Sequence, residues 1–385
     1  LPVAIDYAKK AIALARANPD AGPPMIANAA LARALAGTGE VSQAKQLVQT
    51  LLSNPNLDYA ERDNYLSAAG EVSVAEKNYR RAIRYFENAG SIARAYDDFR
   101  EAADLQSRAS DLYLQIGNVS KAEELARSAI QTLQASKASP LLPPKFDSLA
   151  QVLITQKKYA DARAVYEKAE TLQDSLIGKA DTLIVKTALI TGAGQLYAHH
   201  FALLADHFND VDAAYNVVED GRGRAMVDLL LSRGSSSPEA LETERRIASL
   251  RLQMAGAPSP DEMDRLRQGI FLAEQSRAVN PDLTILATKQ FRPIPAQTIQ
   301  ESLQPSEILL EYVLADPNSY VLCFTPDSRQ IIKLAGRRTI EKMVADYRDA
   351  VRQRANPIRQ AHDLYTSLLN PVPGIDAASH WLIIP

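Results

Sequence analysis

The sequence predicts a mainly α protein: an α-solenoid of repeated helical hairpins, a further helical hairpin, and then the first part of an α/β domain. Three observations carry this reading. Alanines recur at a fixed period through the first part of the chain, at Ala4, Ala44, Ala82, Ala122 and Ala162, in steps of 40, 38, 40 and 40 residues. A Ser/Gly-rich stretch, Ser232–Pro238, then interrupts the pattern and gives way to narrow apolar seams. Beyond Pro293 short apolar runs rich in β-branched and aromatic residues replace the helical periodicity.

Each alanine of the ladder sits in the same frame. An apolar residue lies three positions before it (Leu1, Val41, Tyr79, Val119, Tyr159), and another lies seven positions after it (Ala11, Leu51, Ala89, Ala129, Ala169). A period of this length with helical apolar spacing marks a helical hairpin that stacks on copies of itself. The alanine keeps the side chain small where two helices cross closely. Ahead of each alanine a first helix, helix A, is predicted. It carries Leu31, Ala32 and Leu35, then Ala69 and Gly70, then Ala109, Ser110 and Tyr113, then Leu149, Ala150 and Leu153. Gly39 and Gly117 suit the left-handed residue that ends such a helix, and Asn78 is expected to serve the same purpose less well. In the second helix, helix B, Val48, Phe86 and Tyr166 fill the seam between repeats, with Ala126 its smallest member.

The ladder places Leu1 inside a helix B that runs to Pro19, so the sequence is expected to be a fragment at its N-terminus, lacking the first helix A. Pro140, Pro143 and Pro144 mark a loop at 135–144. A displaced copy follows, with Ala198, Phe201 and Ala202 in one helix and Ala214, Val218 and Gly221 in the next. Its step of 52 residues from Ala162 predicts extra length, placed in a lengthened helix around Gln173–Thr191. Tyr197–Leu231 is expected to form two long helices.

Composition narrows the function classes. The 385 residues suggest two or three domains, and 46% hydrophobic with 23% charged residues is ordinary for a globular protein. A net charge of −3 offers no general attraction to nucleic acid or to an anionic membrane. No apolar run approaches the roughly 20 residues of a membrane span. The single cysteine, Cys323, rules out an intrachain disulfide and a cysteine-based zinc site.

After the linker, Ile247, Leu250 and Met254, and then Met263, Leu266 and Ile270, define the seams of an antiparallel helical hairpin joined at 255–260. Ile308–Leu314, Ser319–Thr325 and Gln330–Leu334 are expected to form an antiparallel meander, divided by Asp316-Pro317-Asn318 and Pro326-Asp327-Ser328. One helix is then predicted from Thr339 and a second through Ile358, Ala361, Leu364, Tyr365 and Leu368. Trp381–Ile384 is an apolar strand, expected inside a parallel sheet yet without a neighbouring strand on at least one side.

The repeats resemble the tetratricopeptide repeat (TPR), with its small–apolar pair in helix A and its Y/V-x-x-A…F/Y-x-x-A pattern in helix B. The period here, 38–40, exceeds that family's 34. The C-terminal region resembles the start of a CHAT domain, a caspase-like cysteine-peptidase domain that follows such repeats. The resemblance lies in Leu309-Leu310-Glu311-Tyr312 running into Ser319-Tyr320-Val321-Leu322, in Ile332 to Arg337, in Leu364 to Leu369 and in Trp381 to Pro385. His200–Asp206 and Val218–Ala225 are similar to the stretch that joins repeats to CHAT domains. The resemblance implies a Cys nucleophile and a His base on later strands, neither of which has a counterpart in this sequence.

The candidate residues are read accordingly. Cys323 lies in an uncharged apolar run and is expected to be buried and inert. His380, just before the last strand, is a weak candidate base. His199, His200 and His207 lack carboxylate or thiolate partners at metal-ligand spacing and are expected to pack or face solvent. Gly221-Arg222-Gly223-Arg224 is expected to be a helix end with solvated or paired arginines rather than a phosphate loop, and Gly192-Ala193-Gly194 is weaker. No catalytic, cofactor-binding or metal residue is assigned, and no cofactor is expected.

The expected organisation is residues 1–231 as TPR-like repeats, 232–292 as linker and helical hairpin, and 293–385 as the incomplete CHAT-like α/β domain. The expected partner is a protein or peptide in the repeat groove, with neither nucleic acid nor a membrane span. A cytoplasmic location is favoured, with secretion left open. The competing expectation is a non-catalytic scaffold whose C-terminal region caps the solenoid.

Overall fold

The structure, a computed structural model, describes residues 2–18, 24–54, 57, 62–180, 183–234, 265–273 and 293–384, together with positions 242, 246, 249, 250 and 253. The chain divides into two compact units, Leu1–Ala169 and Glu170–Pro385.

The first unit is built from paired helices. After α1 (Pro2–Ala17) come α2 (Met25–Gly37) with α3 (Val41–Leu52), α4 (Arg62–Ala75) with α5 (Tyr79–Ala95), α6 (Phe99–Gln115) with α7 (Val119–Ala135), and α8 (Leu142–Thr155) with α9 (Tyr159–Lys179). The ladder alanines Ala44, Ala82, Ala122 and Ala162 are all fully buried, as are Ala89, Ala129 and Ala169. Close helix crossings need these small side chains. The first rung fails: Ala4 and Ala11 are exposed, and Ala8 and Ile12 are the described residues of α1 that are buried. The proline-rich segment expected to be a loop is a 3-10 turn, Ser139–Leu141, running into α8, whose first turn accepts Pro143 and Pro144 because the amides there have no intrahelical partner.

The turns between paired helices follow one rule. The residue two positions before each helix B is left-handed: Gly39 (φ 89°), Lys77 (φ 57°), Gly117 (φ 81°) and Lys157 (φ 60°). In each turn the next amide reaches back to a carbonyl five residues earlier, as in Asn78 to Ser73 at 2.8 Å and Asn118 to Tyr113 at 2.8 Å. This is the Schellman closure of helix A. Asn78 therefore does not fill the left-handed position expected of it; Lys77 does, and the Asn78 side chain caps α5 by accepting from the Arg81 amide at 3.2 Å.

Gly70 of α4 faces a different constraint. A Cβ there would lie 2.3–2.8 Å from the ring of Phe86, which fills the seam at 2% exposure. The hydrogen at this position is what lets α5 lie against α4.

In the second unit the extra length of the displaced repeat is shared between two helices. The helix expected to run through 173–191 is instead interrupted at Ala180, with α9 ending at Lys179 and α10 spanning Leu183–Leu203. A π turn, Leu204–Phe208, closes α10, and Asn209 takes the left-handed conformation at its end. Helix α11 then runs from Val211 to Gly234. It takes in Ser232-Arg233-Gly234 of the expected linker, and the remainder of that linker lies outside the described residues. The hairpin expected over 239–292 is described only in part: 265–273 is helical, Leu266 and Ala273 are buried, and Leu250 lies against Gly269.

A short helix α12 (Ala296–Ser302) leads into a sheet of order β3-β2-β1-β4. Strands β1 (Glu307–Val313), β2 (Asn318–Thr325) and β3 (Ser328–Ala335) form the expected antiparallel meander, with Leu310 opposite Cys323 and Val321 opposite Ile332. Helices α13 (Arg337–Arg352) and α14 (Ile358–Leu368) follow, and β4 (His380–Ile384) returns parallel to β1, pairing Ile308 with Trp381. The parallel pairing agrees with the sequence. So does the open edge, since β4 is the outermost described strand; the expected burial on both faces is not found, because Trp381, Leu382, Ile383 and Ile384 are 38–52% exposed.

The pleat sends alternate residues of β1 and β2 to opposite faces. On one face Leu309, Val313, Tyr320, Leu322 and Phe324 pack against Tyr197, Phe201, Leu204, Tyr215 and Val218 of the α10–α11 hairpin. On the other, Ile308, Leu310, Val321 and Cys323 meet Leu334, Val372 and Ile375.

Candidate functional site

The polar residues that helix A carries gather on one side of the first unit. Arg33 (α2), Glu71 (α4), Asp111 (α6) and Gln151 (α8) recur at the 38–40-residue period of the ladder, as do Ser67, Ser107 and Asp147. Equivalent positions on stacked helices face each other, so these side chains link one repeat to the next.

The links are specific. Arg33 Nη2 donates to Ser67 Oγ at 3.1 Å. Arg108 pairs with Glu71 on the preceding helix A and, through Nε at 2.7 Å, with Asp104 on its own helix. Lys145 of α8 reaches Asp104 from the other side at 2.8 Å. The Ser107 and Ser148 hydroxyls lie 3.1 Å apart. Tyr166, wholly buried, donates to Asp147 at 3.1 Å and accepts from Gln151 at 2.7 Å. The strip thus runs across four A helices without a break.

Charge is not balanced along it. Burial would raise Asp104, but Lys145 and Arg108 outweigh it and hold the carboxyl below its ordinary value. Asp63 and Glu101 are raised, in both cases first by burial, with Asp104 adding its repulsion at Glu101. Asp111 is open to water on one side and crowded by protein on the others, and that crowding pushes it up to about 6. None of these three carboxylates has an ion-pair partner among the described residues. Sequence reasoning did not single out the strip, although its signal was present: polar residues repeating at the period of the alanines.

The residues weighed individually in the sequence lie elsewhere. Cys323 is 2% exposed on β2, in an apolar layer that pushes its thiol up to about 11, so it is a packed cysteine and not a thiolate. His380 is the first residue of β4, exposed, its Nδ1 3.0 Å from Ser379 Oγ. His200 is 2% exposed, and its Nδ1 lies 2.7 Å from Glu170 of α9, a carboxylate too distant in sequence for helical spacing to predict. His207 lies in the π turn. Among the described residues no three His, Cys, Asp or Glu side chains are placed to hold a metal ion, and no helix is long and apolar enough to cross a membrane.

The Gly-Arg-Gly-Arg segment is not the helix end expected of it. Gly221 and Arg222 lie in the middle of α11. A Cβ on Gly221 would stand 3.3 Å from Tyr197 of α10, and Arg222 crosses to β1, where Nη1 is 2.7 Å from Glu311 Oε1. Gly192-Ala193-Gly194 is likewise helix interior, in α10.

An open apolar notch of about 400 Å³ lies beside the sheet edge, lined by Tyr312, Tyr347, Leu364, Tyr365, Leu368 and Ile383.

No protein-family model matches the chain, and no curated protein matches it. Solved structures similar to it include a putative kinesin light chain from Podosopora anserina with nearly identical TPR-like repeats, at 16% identity over 55% of this chain and 96% of the other, with a TM-score of 0.40. The apo form of RapI is 13% identical over 70% of this chain and 92% of its own, with a TM-score of 0.41. The Rap conjugation gene regulator of plasmid pLS20, solved with the Phr peptide, is 14% identical over 66% and 65%, with a TM-score of 0.39. The fold class itself stands on the helices and sheet described above: a mainly helical chain of two-helix repeats with a small four-stranded sheet.

Proposed function

We propose that this chain is the recognition and regulatory portion of a TPR–CHAT caspase-like cysteine peptidase. The repeats bind a partner or substrate protein, and the chain itself carries no catalytic pair. The observation that supports recognition is the polar strip on the A helices, where side chains spaced by one repeat stand ready to contact an extended segment. The order meander, helix, helix, parallel strand supports the CHAT comparison.

The test is a peptide array read against the whole protein, with E101K and D111K as paired variants. A bound segment on the strip is expected to lose at least tenfold in affinity in one of the two variants and to bind less tightly as salt rises. Segments that bind equally well to both variants place recognition elsewhere. A search of the coding sequence beyond Pro385 for a His and a Cys tests the peptidase context separately.

A second reading, a non-catalytic scaffold, is favoured by one feature. The sheet buries one face of β1 and β2 against the α10–α11 hairpin, which is what a cap does for an exposed helical layer. An absence of that His and Cys in the parent sequence would leave this reading standing.

A further inference from the structure

Beneath the α10–α11 hairpin the sheet face holds one fully buried charged residue among those described. Glu311, central on β1, is 0% exposed and lies between Leu309 and Val313 in an otherwise apolar layer. Its Oε1 accepts from Arg222 Nη1 at 2.7 Å, and Arg222 also donates to the Tyr312 carbonyl. Its Oε2 is buried and has no donor among the described residues; the side chain nearest to it in its effect is a second carboxyl, that of Glu219. Glu219 sits one turn before Arg222 on α11 and adds a second carboxyl to the same site. The buried Glu311 carboxylate and its half-buried neighbour Glu219 thus lie near one guanidinium, itself 34% exposed and bonded to Glu311 alone of the two acids.

The other groups facing this site do not balance it. Tyr215, on the same face of α11, is held neutral because burial and the two carboxyls push its phenol up. The strand neighbours are Leu322 on β2 and Ile384 on β4. Further along the face the Tyr320 hydroxyl donates to Asp206 of the π turn, which Lys333 pairs at 2.9 Å, so those charges are already matched.

We propose that Glu219, Arg222 and Glu311 form a proton-operated lock between α11 and β1. With one proton on the cluster the charges cancel and the hairpin is held on the sheet. Without it, an uncompensated negative charge is trapped in the interface and the contact loosens. Burial first, and then Glu219, raise Glu311 to about 7 against the opposing pull of Arg222. An acid whose folded value lies above its unfolded value costs nothing at low pH, where both states are protonated. Between about 4.5 and 7 the unfolded chain gives up its proton first, so stability falls as pH rises, and the loss is complete above that window. The lock therefore closes on acidification, weakens as pH rises from about 4.5 to 7, and is fully weakened above neutrality.

The test uses the one tryptophan of the chain. Trp381 lies on β4 beside β1, so its fluorescence follows melting of the second unit. In the whole protein, E219Q removes the surplus charge without touching the Glu311–Arg222 bond. Its Trp381 melting temperature is expected to exceed that of the wild type by several degrees at pH 8 and to equal it at pH 5. E311Q provides the second measurement: an amide cannot ionise, so the slope of melting temperature between pH 5 and 8 is expected to flatten. An E219Q increment that is the same at both pH values, or an E311Q slope equal to that of the wild type, overturns the proposal.

Discussion

Replacing Gly70 with alanine sets two effects of opposite sign against each other. In the interior of a helix, alanine is favoured over glycine by about 1 kcal/mol. The new methyl, however, would sit 2.3 Å from Cε1 of Phe86 and 2.6 Å from Cδ1, where carbon atoms rest at about 3.5–4.0 Å. The ring must therefore retreat by more than about 1 Å. Phe86 is only 2% exposed, and it packs with Ile83, Ile92 and Leu105. Overpacking costs about 1–3 kcal/mol, and a methyl at 2.3 Å from a packed ring belongs at about 2–3 kcal/mol of that range. A net loss of about 1–2 kcal/mol is therefore expected. Urea denaturation of the whole chain followed by circular dichroism should show an earlier transition for G70A, while the Trp381 fluorescence transition stays in place. F86L should relieve the clash, so the double variant should lose less than the sum of the two single losses. A G70A protein as stable as the wild type would refute the reasoning, because it would mean that the ring moves freely in its seam.

Three further expectations follow from other sites. Lys77 and Lys157 occupy left-handed turns that Gly39 and Gly117 occupy in the sister repeats, so K77G and K157G should each stabilise the first unit by about 0.5–1 kcal/mol, whereas G117A should cost about 1 kcal/mol. No atom lies within 4 Å of a Cβ built on Gly117, so that cost is backbone strain alone, measurable in the same urea titrations. Y166F removes the hydroxyl between Gln151 and Asp147 and should cost about 1–2 kcal/mol; an unchanged midpoint would show that water replaces it without loss. Cys323, buried and raised to about 11, should react with an aromatic disulfide reagent only at the rate at which the second unit opens, and labelling within seconds in native buffer would contradict its placement.

The repeats were legible because small residues at helix crossings leave a regular trace, and each ladder alanine from Ala44 to Ala162 is buried where the period placed it. The meander was equally legible, since proline and aspartate separate runs of β-branched residues. What escaped was set by distance in sequence. Glu170 meets His200 across a turn, and Glu311 meets Arg222 across almost ninety residues, so no local pattern announces either pair. The burial of β4 was misjudged for a related reason: an apolar run reports a preference for cover, whereas a strand's cover depends on its place in the sheet. Asn78 was assigned its neighbour's role because left-handed tolerance argues for asparagine over lysine, yet the period holds Lys77 at the turn and leaves Asn78 free to cap. The polar strip of the A helices was present as a period but carried no chemistry until Arg108, Asp104 and Lys145 were brought together.

The pairing of β4 with β1 bears on the order in which the chain acquires its structure. Each helical hairpin of the first unit closes on residues a few turns away, so ordering there can begin in any repeat and spread to its neighbours. The β1–β2–β3 meander is local in the same sense. Glu307 and His380, in contrast, come together across about seventy residues that include α13 and α14, and that loop must be closed before a single ladder bond is gained. The central strand of the sheet should therefore acquire its antiparallel side early and its parallel side late. In a stopped-flow refolding trace the helical signal should lead, and Trp381 should be among the last residues to report.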